Sequence, residues 1–154
     1  MDLLLWRHAD AELAAPGEDD AARRLTARGQ RQAVRMGAWL NHQLPEQCTV
    51  LCSPALRCVQ TAEALGRKFR TVPALASDSS AEAILAAAGW PERRTPVLIV
   101  GHQPTLGQVA ALLIAREKQE WPVRKGSVIW IGQKGAAPRQ PYLRAVLGPE
   151  LVAK

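Results

Sequence analysis

Leu3-Leu4-Leu5-Trp6-Arg7-His8-Ala9 is a short apolar run that ends on an arginine–histidine pair. An apolar run of this length, without polar alternation, predicts a buried strand. A buried strand that stops on ionisable groups delivers them to the carboxyl edge of a sheet, where open α/β folds bind ligands. A guanidinium fork beside an imidazole suits phosphate. The fork neutralises two oxygens at once, and the imidazole attacks phosphorus or passes a proton.

Two further stretches repeat this arrangement. Thr95-Pro96-Val97-Leu98-Ile99-Val100-Gly101-His102 is a second apolar run ending on a histidine, followed by Pro104 and an apolar helical segment over 106–113. Cys48-Thr49-Val50-Leu51-Cys52-Ser53-Pro54-Ala55-Leu56-Arg57 reads as a strand, a Ser-Pro turn and an arginine in the first turn of a helix. Three strands thus each end on one or two functional groups: Arg7 with His8, Arg57, and His102. The chain has only three histidines, and two of them stand at such ends.

The rest of the pattern supplies the frame. Strands are predicted over 2–6, 49–52, 71–72, 97–101, 128–131 and 142–147. Helices are predicted from a Thr26 cap to about Asn41, over 55–68, from a Ser79 or Ser80 cap to Gly89, and over 105–116. Residues 11–24 read as an exposed loop that follows the Arg-His pair and is placed to lie over it; residues 132–141 read as a hairpin-like connection. Strands alternating with helices predict an α/β fold, a three-layer α/β/α sandwich around a mainly parallel sheet. The last two strands lack a helix between them, which predicts an antiparallel C-terminal edge. At 154 residues, one domain over 1–154 is expected.

Composition narrows the function classes. The net charge of +6 comes from fifteen arginines and five lysines against fourteen acids. Arg23, Arg24, Arg28, Arg31 and Arg35 cluster on what reads as a solvated helix face and its leading loop. No aromatics interleave with them as a stacking platform requires, so nucleic-acid binding is not expected; a basic rim that attracts an acidic partner protein fits better. No apolar run approaches the roughly 20 residues that span a bilayer. No basic region precedes the first apolar run, so no signal peptide is expected. Cys48, Cys52 and Cys58 are an odd, closely spaced set without Cys-x-x-Cys, which argues against a disulfide framework or a zinc site. Reduced thiols and a cytoplasmic location follow as expectations, with Cys52 a small buried hydrophobe.

Each candidate residue has a plain structural alternative. His8 is the candidate nucleophile, because a neutral imidazole with a pKa near about 6.5 is a competent attacker. Its other ring nitrogen then needs an acceptor, expected to be a backbone carbonyl. Standing alone, it would read as a strand-end histidine with a structural hydrogen bond; beside Arg7, Arg57 and His102 it reads as catalytic. Arg7 and Arg57 are the phosphate clamps, with surface ion pairing as their alternative. A helix N-terminus beside Arg57 would add to its pull on an anion. His102 is expected to donate to the phosphoryl group, or otherwise to cap the following helix. Gln103 is a further candidate phosphate contact. Thr26, Gln60 and Thr61 read as supporting groups, and His42 as exposed and inert.

Arg7-His8-Ala9-Asp10, Leu25-Thr26-Ala27-Arg28-Gly29-Gln30-Arg31-Gln32-Ala33, Ser53-Pro54-Ala55-Leu56-Arg57-Cys58-Val59-Gln60-Thr61-Ala62 and Gly101-His102-Gln103-Pro104 follow one another along the chain. In this order they resemble the blocks of the histidine phosphatase superfamily. The short length and the Gly-His-x-Pro form resemble its SixA-type phosphohistidine phosphatase branch, as do Lys125-Gly126-Ser127-Val128 and Leu147-Gly148-Pro149-Glu150-Leu151. The resemblance implies a phosphoglycerate-mutase-like fold and a phosphatase that needs neither metal nor cofactor. His8 would take the phosphoryl group and water would release it. The implied substrate is phosphohistidine on a signalling protein such as a histidine-phosphotransfer domain, reached through an open site, and a monomer is expected. Larger relatives use a carboxylic acid to protonate the leaving group. Asp10, Asp78 and Glu82 are the candidates here, and none stands in a matching motif; Asp10 reads as a loop carboxylate paired with a nearby arginine. Two alternatives stay open: a phosphatase of a small phosphorylated metabolite, and a catalytically idle phosphoprotein-binding module.

Overall fold

The computed structural model describes residues 1–152; residues 153 and 154, the end of the expected domain, lie outside the described residues. Six strands form one sheet: β1 (Leu3–Arg7), β2 (Thr49–Cys52), β3 (Arg70–Thr71), β4 (Val97–Gly101), β5 (Val128–Lys134) and β6 (Gln140–Leu147). Four helices accompany them: α1 (Ala27–Gln43), α2 (Leu56–Glu63), α3 (Ala81–Ala88) and α4 (Thr105–Ile114). The sheet order is β3-β2-β4-β1-β5-β6. β3, β2, β4 and β1 are mutually parallel, while β5 runs antiparallel to both β1 and β6. The expected parallel sheet with an antiparallel C-terminal edge is present.

Alternation along β1 shows how two cores are built. Leu4 and Trp6 pack with Met36 and Leu40 of α1 and with Cys58 and Ala62 of α2. Leu3 and Leu5 point the other way, to Ile84 of α3 and Val109 and Ala110 of α4. The chain steps from β1 to β2 and β3 in one direction, then returns through β4 to β5. Right-handed crossovers taken in opposite directions place their helices on opposite faces. All four of these β1 side chains are fully buried, each contributing about 1.5–3 kcal/mol of burial by side-chain transfer. A strand apolar on both faces accounts for the unbroken run at 3–6.

Element boundaries differ from expectation where backbone chemistry intervenes. α2 stops at Glu63 rather than reaching 68, because Gly66 turns the chain at φ +74°. α4 ends at Ile114, two residues before Arg116, which sits at φ +59°. β3 covers 70–71 rather than 71–72, since Pro73 opens a short 3-10 turn. β5 and β6 extend inward and shrink the 132–141 connection to 135–139, with Gly135 at φ +89°. α1 carries the expected cap, Thr26 Oγ1 accepting from Gly29 N at 2.9 Å, and runs on to Gln43. Ser80, not Ser79, caps α3.

Candidate active site

Strand register brings the distant residues together. Arg7 pairs with Gly101 and Cys52 with Val100, so β1, β4 and β2 end at one level with β4 in the middle. His8 N donates to Gly101 O at 3.1 Å, and Ser53 N donates to Val100 O at 3.0 Å. His8, His102 and Ser53 therefore leave three neighbouring strands side by side. The two imidazoles meet edge to face, 5.5 Å between centroids. β5 enters from the same edge. Gly126 N reaches the carbonyl oxygens of both Arg7 (3.2 Å) and His8 (3.1 Å), from a φ of +77° that suits glycine.

The tautomer of His8 follows from its partner. Nδ1 lies 2.8 Å from Ala9 O. A carbonyl only accepts, so Nδ1 carries the proton and Nε2 keeps its lone pair. Burial pushes the His8 pKa down to about 3; the His102, Arg57 and Arg7 charges push the same way, and the Ala9 carbonyl opposes them. The imidazole is neutral at physiological pH, with one nitrogen free.

His102 is held in the opposite tautomer. Arg57 Nη2 donates to His102 Nδ1 at 3.3 Å. Nε2 therefore carries the proton and donates to Ser53 Oγ at 2.7 Å. The His102 pKa falls to about 4, first through burial and then through Arg57. An arriving oxyanion would reverse that electrostatic cause, since negative charge nearby favours the imidazolium. Nδ1–H would then be available as a donor beside Arg57.

The two arginines carry unmet bonding capacity. Arg57, the second residue of α2, donates from Nη1 to Asp20 O (2.9 Å) and from Nη2 to Asp20 Oδ2 (3.0 Å). Arg7 donates from Nη1 to Val123 O at 2.7 Å. Nε of each guanidinium is buried and without a partner. An unpaired buried donor costs about 1–3 kcal/mol. Burial and the neighbouring Arg57 charge also lower the Arg7 pKa. Two close cations with two orphaned donors are arranged for a multidentate anion.

Polar side chains fix the frame. Thr61 Oγ1 donates to Arg57 O (2.7 Å) and accepts from Ala9 N (3.1 Å), tying α2 to the exit of β1. Gln60 Oε1 accepts from Leu25 N at 2.7 Å. At Gly29 any Cβ would collide with the Asp10 carbonyl oxygen, so the α1 N-terminus can approach the loop only with glycine there.

The four residues Arg7, His8, Arg57 and His102 converge, and several other candidates do not. Both ends of the Gln103 amide are committed, Nε2 to Trp121 O (2.8 Å) and Oε1 to Gly107 N (2.7 Å), so it supports the helix start instead of offering a phosphate contact. Glu82 pairs with Lys118 on the surface at 2.7 Å, and Asp78 is exposed beyond β3. Asp10 pairs with Lys125 (3.1 Å) and Thr26 (2.7 Å), not with an arginine. These contacts hold its carboxyl below the usual range, Thr26 first. Asp10 and Glu82 are both held below the usual carboxylate range, which suits neither to give a proton to a leaving group. Cys52 is buried with a raised pKa. His42 is exposed. No group of three or more His, Cys, Asp or Glu able to hold a metal ion occurs among the described residues.

Two site residues were not foreseen. Ser53 accepts from His102 Nε2, opposite the Arg57 contact that sets the tautomer, although its only sequence signal was a place before Pro54 at a strand end. Asp20 comes from the 11–24 loop, which is not bare: Ala11 bridges Leu25 and residues 20–22 form a 3-10 turn. The Asp20 carboxyl is held below its usual pKa by Arg23 first and by Arg57. It is the acid that reaches the arginines, yet it stays ionised.

The chain is similar in sequence and fold to known proteins. The model of the histidine phosphatase superfamily (branch 1) matches residues 3–85. The chain is 32% identical over 125 residues to the phosphohistidine phosphatase SixA of Escherichia coli strain K12, covering 76% of each chain. It is 26% identical over 151 residues to a phosphohistidine phosphatase SixA homolog of Haemophilus influenzae, covering 87% of this chain and 91% of the relative. The structure of a protein histidine phosphatase SixA complexed with tungstate superposes with a TM-score of 0.81 at 26% identity, covering 97% of each chain.

Proposed function

Because the chain belongs to the histidine phosphatase superfamily, with a SixA-like and phosphoglycerate-mutase-like fold, we propose that it hydrolyses phosphohistidine on a protein through a phospho-His8 intermediate. His8 Nε2 attacks phosphorus in line. The new N–P bond forms as the substrate N–P bond breaks, and the electron pair returns to the substrate imidazole, which takes a proton from solvent. Arg7 and Arg57 neutralise the equatorial oxygens, and His102 Nδ1 adds a donor as charge builds. Water then attacks phosphorus, the electron pair returns to His8 Nε2, and inorganic phosphate leaves. The arginines and imidazoles supply the charge neutralisation that a metal ion gives elsewhere.

One observation carries the choice of substrate: the carboxylate beside the clamps, Asp20, is held ionised by Arg23 and Arg57. An alkoxide leaving group needs an acid with a raised pKa. An imidazole leaving from a phosphorylated histidine does not, since it accepts its proton readily near neutral pH. The SixA relatives named for phosphohistidine, and the tungstate complex of one of them, support this reading. The test is a rate comparison. Phosphate release from a phosphohistidine protein is expected to exceed that from sugar phosphates and nucleotides by orders of magnitude in kcat/KM. Faster turnover of a small phosphate ester would replace this reading with a metabolite phosphatase.

A further inference from the structure

We propose that the groove along α1 is the docking site for an acidic segment of the phosphoprotein substrate, whose carboxylates pair with Arg28, Arg31 and Arg35. This rests on the reading above that a protein carries the phosphoryl group. The groove holds about 830 Å³ and is lined by these three arginines with Gln32, Val34 and Glu150. A second hollow of about 320 Å³ shares Arg28, Gln32 and Glu150 and adds Arg7, Arg124 and Lys125. Arg7 is a phosphate clamp, so the second hollow adjoins the groove on one side and borders the active site on the other.

Spacing and charge define the occupant. Arg28, Arg31 and Arg35 stand at i, i+3 and i+7 on one face of α1, a reach of about 10 Å at the helical rise. Arg28 and Arg31 are exposed. Neither these three nor Arg124 forms an ion pair among the described residues, although Lys125 is paired with Asp10. Acids lining the two hollows are Asp10 and Glu150 alone, so six cations face two anions. Val34, 60% exposed, adds an apolar contact between the arginines. Guanidinium forks match carboxylates in pairs. No aromatic side chain lines the groove, which disfavours a nucleic-acid strand that would need stacking partners.

The double variant Arg31→Glu with Arg35→Glu tests this, because neither residue belongs to the catalytic set. The probes are an acidic phosphohistidine protein and free phosphoimidazole. KM for the protein is expected to rise about tenfold, as reversed surface pairs imply. Turnover of phosphoimidazole should stay at the wild-type level, and the Arg31→Lys, Arg35→Lys double variant, which keeps the charge and loses the fork, should fall between wild type and the charge-reversed variant. Raising salt from about 0.05 to about 0.2 M should raise the wild-type KM for the protein more than the variant's. Equal changes on both probes, or no change on either, overturn the docking site. Should wild type ignore the phosphoprotein but turn over small phosphates, the substrate reading has failed separately. Amide shifts at residues 28–35 on titration with a poly-glutamate peptide then decide the groove. Shifts absent from wild type, or undiminished in the charge-reversed variant, sink it, as does tighter binding of a single-stranded oligonucleotide.

Discussion

The strand ends and the 11–24 loop meet at Arg57, and they are held in different ways. Arg7, His8, Ser53 and His102 are placed by backbone register within a sheet whose central strands are fully buried. Asp20 reaches Arg57 from an exposed 3-10 turn, through a side chain that is itself 58% exposed. Buried, register-fixed groups hold their geometry whether or not ligand is bound, as transition-state stabilisation requires. An exposed carboxylate is screened and easily displaced. The difference separates a buried, register-fixed set of donors from a counter-ion carried on an exposed turn.

Substitutions on the two sides should therefore differ in size. Arg57→Ala removes a preorganised donor and should lower kcat by about 10²–10³-fold; steady-state assay at saturating substrate reads this, and a loss confined to KM would place Arg57 in binding alone. Ser53→Ala takes away the acceptor of His102 Nε2–H and should cost roughly tenfold in kcat, the effect of one unmet buried hydrogen bond. Its pH profile should shift as well, because His102 Nε2–H loses an acceptor that favours the imidazolium; an unchanged profile would reduce Ser53 to a helix-start residue. Asp20→Asn should change kcat by no more than about a few fold, in keeping with an exposed pair, and should tighten phosphate or tungstate binding. A loss as large as that of Arg57→Ala would instead make Asp20 part of the catalytic set.

Acid titration sharpens the same contrast. His8 and His102 have folded pKa values of about 3 and about 4, below their ordinary 6.5. The unfolded chain then binds more protons than the folded one below pH 6.5, so these two groups cost stability as pH falls from there toward 3–4, and cost nothing above it. Thermal melting of His102→Ala, compared with wild type across this window, should show a shallower acid loss. Tungstate should oppose the wild-type loss, since a bound anion raises both pKa values. Parallel melting curves for the two proteins would contradict the buried neutral imidazoles.

What was legible in the sequence follows the same division. Leu3–Trp6 and Val97–Val100 are continuous apolar runs, and buried parallel strands need such runs, so the groups that end them could be read as site residues. Thr26 was legible as a cap because a hydroxyl before a helical pattern has one common use. The insertion of β4 between β2 and β1 was not, since strand order depends on which distant surfaces pack. Gly66 shortens α2 through a single backbone angle that periodicity does not encode. Asp20 stands in a polar stretch with no period, next to Asp19, and nothing local distinguishes the one that turns inward. Gln103 looked free because its partners, Gly107 N and Trp121 O, arrive through the helix start and a segment 18 residues away.

The attack of His8 on phosphorus is tested most directly by trapping the phosphoenzyme. Wild-type protein mixed with labelled phosphohistidine substrate and quenched in alkali should carry an acid-labile phosphoryl group on His8. His8→Ala should carry none and release no phosphate, while still melting cooperatively and still gaining stability from tungstate. Label on any other residue, or full turnover by His8→Ala, would contradict the account.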